Sequence, residues 1–312
     1  MRLGVVFPGQ GSQCVGMGGG IVERYPVAAD LFRRAERVLG YDLHALIAEG
    51  PDEKLRETAY AQPAIYVTNY ALAAAAGDLP VTASAGHSFA EFCSLTLAGS
   101  LTFEDALGLV KERGLAMQSA AELVPGAMAA VLGLDPEKVR AATLAAADAG
   151  HVRLANFNAP GQIVISGDAA AVARAGELAR EAGAKKVVAL NVSGAWHSAL
   201  MEPARDRFAA FVERAPIGMP RFPVISNVDA QPYRDVATIR TNLVSSVSSE
   251  VLWHAAAERL VAEGLDAVVE FGGSPVLASL LKRVAGAPAA SYVGDERGLE
   301  ALASTLASAA QA

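Results

Sequence analysis

Cysteine is scarce in this chain of 312 residues, with Cys14 and Cys93 the only two. Two thiols do not make a disulfide framework. Cys93 falls on an expected helix five residues after Ser88 and reads as a packed thiol, because free cysteine behaves as a small buried hydrophobe. Charge is modest as well: 19% of residues are charged, and 33 acidic side chains against 26 basic ones give a formal net charge of −7. That balance disfavours nucleic acid as a partner, yet leaves room for an acidic protein on a local basic patch. No uninterrupted apolar run reaches the roughly 18 residues of a membrane helix. The chain also lacks a basic start followed by a long apolar stretch, the mark of a signal peptide. Neither a membrane partner nor export is expected, which makes the cytoplasm the expected compartment. Its five histidines and two cysteines show no clustered ligand spacing, so no metal is expected. What it does have is 52% hydrophobic residues and no low-complexity tract, enough for a large core in one or two domains.

Strand and helix signals alternate through the first third. Residues 3–7 read as a strand, 27–39 and 59–76 as helices closed by Gly40 and Gly77, 81–85 as a buried strand, and 88–97 and 103–123 as helices. Alternation of this kind implies a parallel sheet flanked by helices. The middle has another rhythm: strand 128–132, helix 136–147, strand 152–157, a turn at Asn158-Ala159-Pro160-Gly161, strand 163–165, helix 169–182 and strand 186–190. That β-α-β-β-α-β order is ferredoxin-like. Beyond it come helix 200–215, strand 224–227, one or two helices within 239–263, strand 267–271, a helix from Val276, strand 291–293 and a terminal helix. The expected fold is therefore α/β. An α/β-hydrolase-like large domain with a parallel sheet (1–125 and 193–312) carries an inserted ferredoxin-like small domain (126–192), with the site in the cleft between them.

One corner of this layout carries chemistry. Ser84-Ala85-Gly86-His87-Ser88-Phe89-Ala90 joins the end of a buried strand to the start of a helix. A serine on such a corner exposes its hydroxyl, and the backbone N–H of the next residue, Phe89, sits at the helix start where it can stabilise an oxyanion. Ala90 stands where the G-x-S-x-G pattern has its second glycine. A Gly-x-Ser turn also occurs without any catalytic role. The opening segment, Leu3-Gly4-Val5-Val6-Phe7-Pro8-Gly9-Gln10-Gly11-Ser12-Gln13, is a strand running into a Gly-rich turn. Its glycines let backbone N–H groups such as that of Gln10 face inward, as a second oxyanion donor must.

Phe-Pro-Gly-Gln-Gly-Ser-Gln at residues 7–13, Gly-His-Ser-x-x-Glu at 86–91 and Arg-Gly-x-x-Met-Gln at 113–118 together resemble the malonyl-CoA:acyl carrier protein transacylases. Those enzymes serve fatty acid synthesis and, as discrete acyltransferases, certain polyketide synthases. Further matches in the same order are the segments at 158–167, 195–201 and 223–227. The resemblance covers nearly the whole chain. It implies malonyl-CoA as substrate, the phosphopantetheine thiol of an acyl carrier protein as acceptor, and no tightly bound cofactor. A monomer is expected. The Gly-His-Ser-Phe-Ala-Glu-Phe variant points toward polyketide synthesis.

A serine nucleophile needs a base. His87 adjoins Ser88 at a sharp turn and points elsewhere, so a structural hydrogen bond suits it better. His44 and His151 lie in surface-like contexts, and His254 in a helical pattern reads as packing or surface. His197 follows an expected buried strand, 187–192, across a Ser-Gly-Ala-Trp loop. On position alone it is a catalytic base or a helix cap; the resemblance makes it the base. The family commonly orients that histidine with a glutamine, and alignment on Trp253 puts Ser246 there instead. A backbone carbonyl, Ser246 itself or Asn242 could take over that task. On spacing alone Arg113 is a surface arginine paired with Glu112 or Glu122, whereas the resemblance gives it the malonyl carboxylate, which guanidinium grips through two parallel hydrogen bonds.

The resemblance also lines the acyl pocket with His87, Trp196, Met117, Asn158 and Ser246. Bulky Trp196 favours an unbranched malonyl group, while Gly194 departs from the usual malonyl pattern and is expected to open space. Carrier proteins are acidic, so Arg153, Lys185, Lys186, Lys282 and Arg283 are candidates for docking, each of them equally an ordinary solvated charge. Three rival readings stand beside transfer from coenzyme A. A lipase-like hydrolase would place an acid between Ser and a late His. An editing acyl hydrolase on the same fold is expected to lose the arginine kept here as Arg113. A carrier-binding scaffold would have no need to keep Ser88, His197 and Arg113 together. Transfer of a different acyl chain between two carriers is a further alternative, given Ala90, Ser246 and Gly194.

Overall fold

The computed structural model describes residues 1–192 and 194–311; Ser193, at the expected domain boundary, and Ala312 lie outside the described residues. Two sheets organise the chain. The first is all parallel and contains β1 (Leu3–Phe7), β2 (Val81–Gly86), β7 (Val224–Ile225), β8 (Ala267–Phe271) and β9 (Ala290–Val293), in the order β7-β2-β1-β8-β9. Every residue of β1 is buried because both faces of the sheet are covered. Val5 and Phe7 pack into the core shared with helices Thr58–Ala75 and Phe103–Leu123, while Val6 belongs to a second core that includes Trp253 and Leu260 of helix Trp253–Val261. A strand buried on both faces carries an unbroken apolar run rather than an alternating one, which is what residues 3–7 display.

The second sheet is antiparallel, formed by β3 (Ala127–Leu132), β4 (Val152–Ala159), β5 (Gln162–Gly167) and β6 (Lys186–Ala189) in the order β4-β5-β3-β6. Helices Pro136–Ala145 and Ala169–Glu181 cover one face through Val131, Leu154, Ile163 and Ile165. Residues of alternate parity, Met128 and Val164, pack instead into the core of the large domain. Two backbone bonds fasten β4 to the chain beside helix Trp253–Val261: Phe157 N–H donates to the Val251 carbonyl at 2.9 Å and Val251 N–H to the Ala155 carbonyl at 2.8 Å. β6 corrects one expectation. It ends at Ala189 and is exposed or half-buried along its length, because it is the edge of this sheet. Among the described residues no helix is long and apolar enough to cross a membrane.

Candidate active site

The carboxyl ends of β1 and β2 supply the two loops of the site, as expected of a parallel α/β sheet. At the end of β2 the chain turns so tightly that a Cβ on Gly86 would lie 2.1 Å from the Ala90 carbonyl oxygen. Only glycine fits there. Ser88 follows with φ of 54° and starts a 3₁₀ turn, Ser88–Ala90, that feeds helix Glu91–Leu97. His197 is also left-handed, with φ of 60°. Non-glycine residues held there carry strain that clusters at functional sites. Both face one another: Ser88 Oγ lies 2.9 Å from His197 Nε2.

His197 Nδ1 lies 2.9 Å from the Ser246 carbonyl oxygen and 3.1 Å from that of Ser249. Carbonyls only accept, so the ring proton sits on Nδ1 and Nε2 is free to accept from Ser88. A hydroxyl held this way can pass its proton to the imidazole as it attacks a carbonyl carbon. His197 is 4% exposed. Burial above all, then the charge of Arg113 and the nearness of His87, push its pKa down to about 3, against a small upward pull from the two carbonyls. It is neutral at pH 7. Among the described residues, the backbone N–H groups of Phe89 and Gln10 have no hydrogen-bond partner, leaving both amides free to meet a developing oxyanion.

Arg113 is 1% exposed, so the surface reading of this residue is wrong. None of its three guanidinium nitrogens has a hydrogen-bond partner. Its Cζ lies 6.0 Å from the centroid of the Phe89 ring. Burial lowers its pKa to about 9, with Glu91 pulling the other way, and it stays charged at neutral pH. A buried, unpaired cation is costly unless a ligand pairs it.

These groups share one cavity of about 730 Å³, lined by Gln10, Ser88, Arg113, Met117, Trp196 and His197 among others. His87 and Asn158 line it as well and bond to each other, His87 Nε2 to Asn158 Oδ1 at 3.0 Å. Trp196 is folded back over Gly194. A Cβ on Gly194 would lie 2.5 Å from Trp196 Cη2 and 2.8 Å from the Ala121 Cβ. The glycine therefore opens no space, since the indole fills it. Gln62, Asn156 and Asn191, which the sequence reading passed over, also face the cavity, as do Glu53, Arg56 and Glu57. Gln62 donates from Nε2 to Met117 Sδ at 3.5 Å, and its buried Oε1 has no partner.

Ser246 does not line the cavity. Its hydroxyl donates to the Leu243 carbonyl at 2.8 Å, and only its backbone oxygen reaches His197. Asn242 is likewise taken, donating to Ser226 Oγ at 3.0 Å and Asp229 Oδ2 at 3.1 Å. The Ser249 carbonyl was missed because a backbone oxygen leaves no trace in residue identity.

The five docking candidates do not form one patch. Lys186 pairs with Leu132, Leu132 with Gln162, and Arg283 donates to Gln162 Oε1 at 3.2 Å. Exposed Lys185, Lys186, Lys282 and Arg283 thus gather around one end of the small sheet. Arg153 lies at the other end of β4, about 20 Å away at the usual rise per strand residue, and pairs with Glu250 at 3.5 Å.

The acyl transferase domain family matches residues 5–310. The malonyl CoA-acyl carrier protein transacylase of Haemophilus influenzae is 40% identical over 94% of this chain and 96% of its own length. The protein of that name from Bacillus subtilis is 41% identical over 91% and 90%. A malonyl-transacylase solved in complex with a type II polyketide synthase acyl-carrier protein superposes with a TM-score of 0.94 at 38% identity, covering 98% of this chain and all of the other. Matched from end to end by that domain model and by these relatives, the chain belongs to the acyl transferase domain family, among the malonyl CoA-acyl carrier protein transacylases.

Proposed function

We propose that this protein moves a malonyl group from coenzyme A to the phosphopantetheine thiol of an acyl carrier protein through an ester on Ser88. One observation carries the choice of acyl group: the buried guanidinium of Arg113, with no partner on any nitrogen, in the cavity that holds the Ser88–His197 pair. A carboxylate at the far end of the acyl chain would satisfy it through two parallel charged hydrogen bonds.

Ser88 Oγ attacks the thioester carbon while its proton passes to His197 Nε2. The carbonyl oxygen takes the negative charge and is met by the N–H groups of Phe89 and Gln10. The carbon–sulfur bond then breaks, the proton passes from Nε2 to the departing thiolate, and malonyl remains on Ser88. In the second half-reaction the carrier's thiol attacks the ester and gives its proton to Nε2, which returns it to Ser88 Oγ as the carbon–oxygen bond breaks. Ser88, His197 and the two thiols account for every proton and electron pair, so no tightly bound cofactor is invoked.

In this reading Trp196 and Met117 shape the acyl pocket, and His87 and Asn158 close it on the side of the small domain. The cations at the end of the small sheet receive an acidic carrier, and Arg153 is left out of that surface. The chain divides into 1–125 with 193–312, and 126–192, and works as a monomer in the cytoplasm. The acceptor is assigned to polyketide synthesis on the Phe89-Ala90 variant of the nucleophile turn.

Intact-protein mass spectrometry tests the scheme. Malonyl-CoA should leave a malonyl adduct that moves to holo acyl carrier protein, faster to a polyketide than to a fatty acid carrier. An adduct lost only to water would instead mark a hydrolase.

A further inference from the structure

The turn that carries Ser88 rests on two side chains with no part in these proton transfers. Asn227, just after β7, is 1% exposed, and Glu91, at the start of the helix after the turn, is 2% exposed. Asn227 Oδ1 accepts from the Ser88 backbone N–H at 3.0 Å, and Nδ2 donates to the Gly86 carbonyl at 2.7 Å. One carboxamide thus holds both sides of the turn, as a neighbouring strand holds a ladder. The left-handed backbone of Ser88 is strained and persists only where its surroundings fix it.

The Ser88 N–H can only donate and the Gly86 carbonyl can only accept, so the turn itself sets which way the carboxamide faces, and Glu91 holds it there. Its Oε2 accepts from the Asn227 backbone N–H at 3.0 Å and from Nδ2, while Oε1 accepts from the Tyr233 hydroxyl. A carboxylate only accepts, so Glu91 holds Nδ2 toward itself and leaves Oδ1 facing Ser88. Burial pushes the Glu91 carboxyl up, and its three donors pull it back.

We propose that Glu91, acting through Asn227, positions the nucleophile: the carboxylate anchors the side chain and the backbone of Asn227, and the carboxamide aims Ser88 Oγ at His197 and places the Phe89 N–H. This rests on the reading of Ser88 as nucleophile. Glu91 and Asn227 do not line the cavity, so their loss acts on the rate of acylation and not on the KM for the donor.

Single-turnover acylation by malonyl-CoA, followed by intact mass, reads the effect. Asn227→Ala and Glu91→Gln should each slow acylation about 10²-fold, the usual scale for a misplaced reacting group, with KM little changed. Wild-type rates in folded single variants overturn the proposal, and so does a loss seen only in KM. If a single variant does not fold, Tyr233→Phe carries the test. Removing that one bond should slow acylation about threefold, and an unchanged rate overturns the proposal. Ser88→Ala, run alongside, separates the two failures: an adduct that persists there refutes the nucleophile and the proposal with it, whereas its loss leaves the single variants to decide.

Discussion

His197 Nδ1 donates to the Ser246 carbonyl at 2.9 Å, a neutral acceptor where serine hydrolases commonly set a carboxylate. Two carbonyls fix the tautomer as well as an acid would, but they do little to stabilise an imidazolium. Burial first, then the charge of Arg113 and the nearness of His87, keep His197 neutral far below the ordinary histidine range, and the upward pull of the two carbonyls does not offset them.

The pH profile of acylation follows from this. The base must be unprotonated to accept from Ser88, and its folded pKa lies at about 3. The acid limb of kcat/KM for malonyl-CoA should therefore fall well below the ordinary histidine value of about 6.5. A midpoint at or above that value would contradict it. Stability responds in the same direction. Between the ordinary value and about 3 the unfolded chain binds the proton that the folded chain refuses, so His197 subtracts stability as pH falls through that window.

Arg113 should trade stability for recognition. Its charge is buried without a partner, so Arg113→Met should stabilise the free protein by about 1–4 kcal/mol, the range seen when apolar residues replace buried charges. Thermal unfolding checks this. Free malonate should raise the Tm of the wild type and leave that of the variant unmoved; a destabilised variant would mean that the guanidinium has a structural partner.

Trp196 should set the width of the pocket beside the carboxylate. It lines the cavity and is packed against Gly194. Trp196→Ala should raise the ratio of kcat/KM for methylmalonyl-CoA over malonyl-CoA at least about tenfold, the discrimination one methyl group commonly yields. Equal ratios in variant and wild type would move the determinant elsewhere.

Long or fully buried elements were legible because their signals are redundant. Helix Phe103–Leu123 begins where Thr102 caps it, its Oγ1 accepting from Asp105 N–H at 3.1 Å, and β8 spans the residues read as a strand. Helices Leu43–Glu49 and Asp52–Arg56 went unread, since five to seven residues are too few to display a 3.6-residue period. The Asp42 cap, accepting from Ala45 N–H at 2.8 Å, was the one local sign of them. β7 stops at Ile225 instead of reaching Asn227, because Asn227 turns in to hold Ser88 and Glu91. At the site, strand-to-helix corners pointed to Ser88 and His197, but spacing alone put Arg113 on the surface. Only tertiary packing buries it, and resemblance supplied what spacing could not. A backbone carbonyl was one of the three candidates to support His197, and the structure has two, but residue types do not encode which carbonyls they are.

The most direct test of the account sets malonyl-CoA against an equal amount of acetyl-CoA and reads the adduct masses on wild type and Arg113→Ala. Malonyl-serine should be the dominant wild-type species. In the variant the malonyl-to-acetyl ratio should collapse by about 10²-fold, the worth of two hydrogen bonds to a charged group, while the acetyl adduct still forms. An undiminished malonyl ratio in the variant would contradict the assignment of Arg113 and, with it, of the substrate.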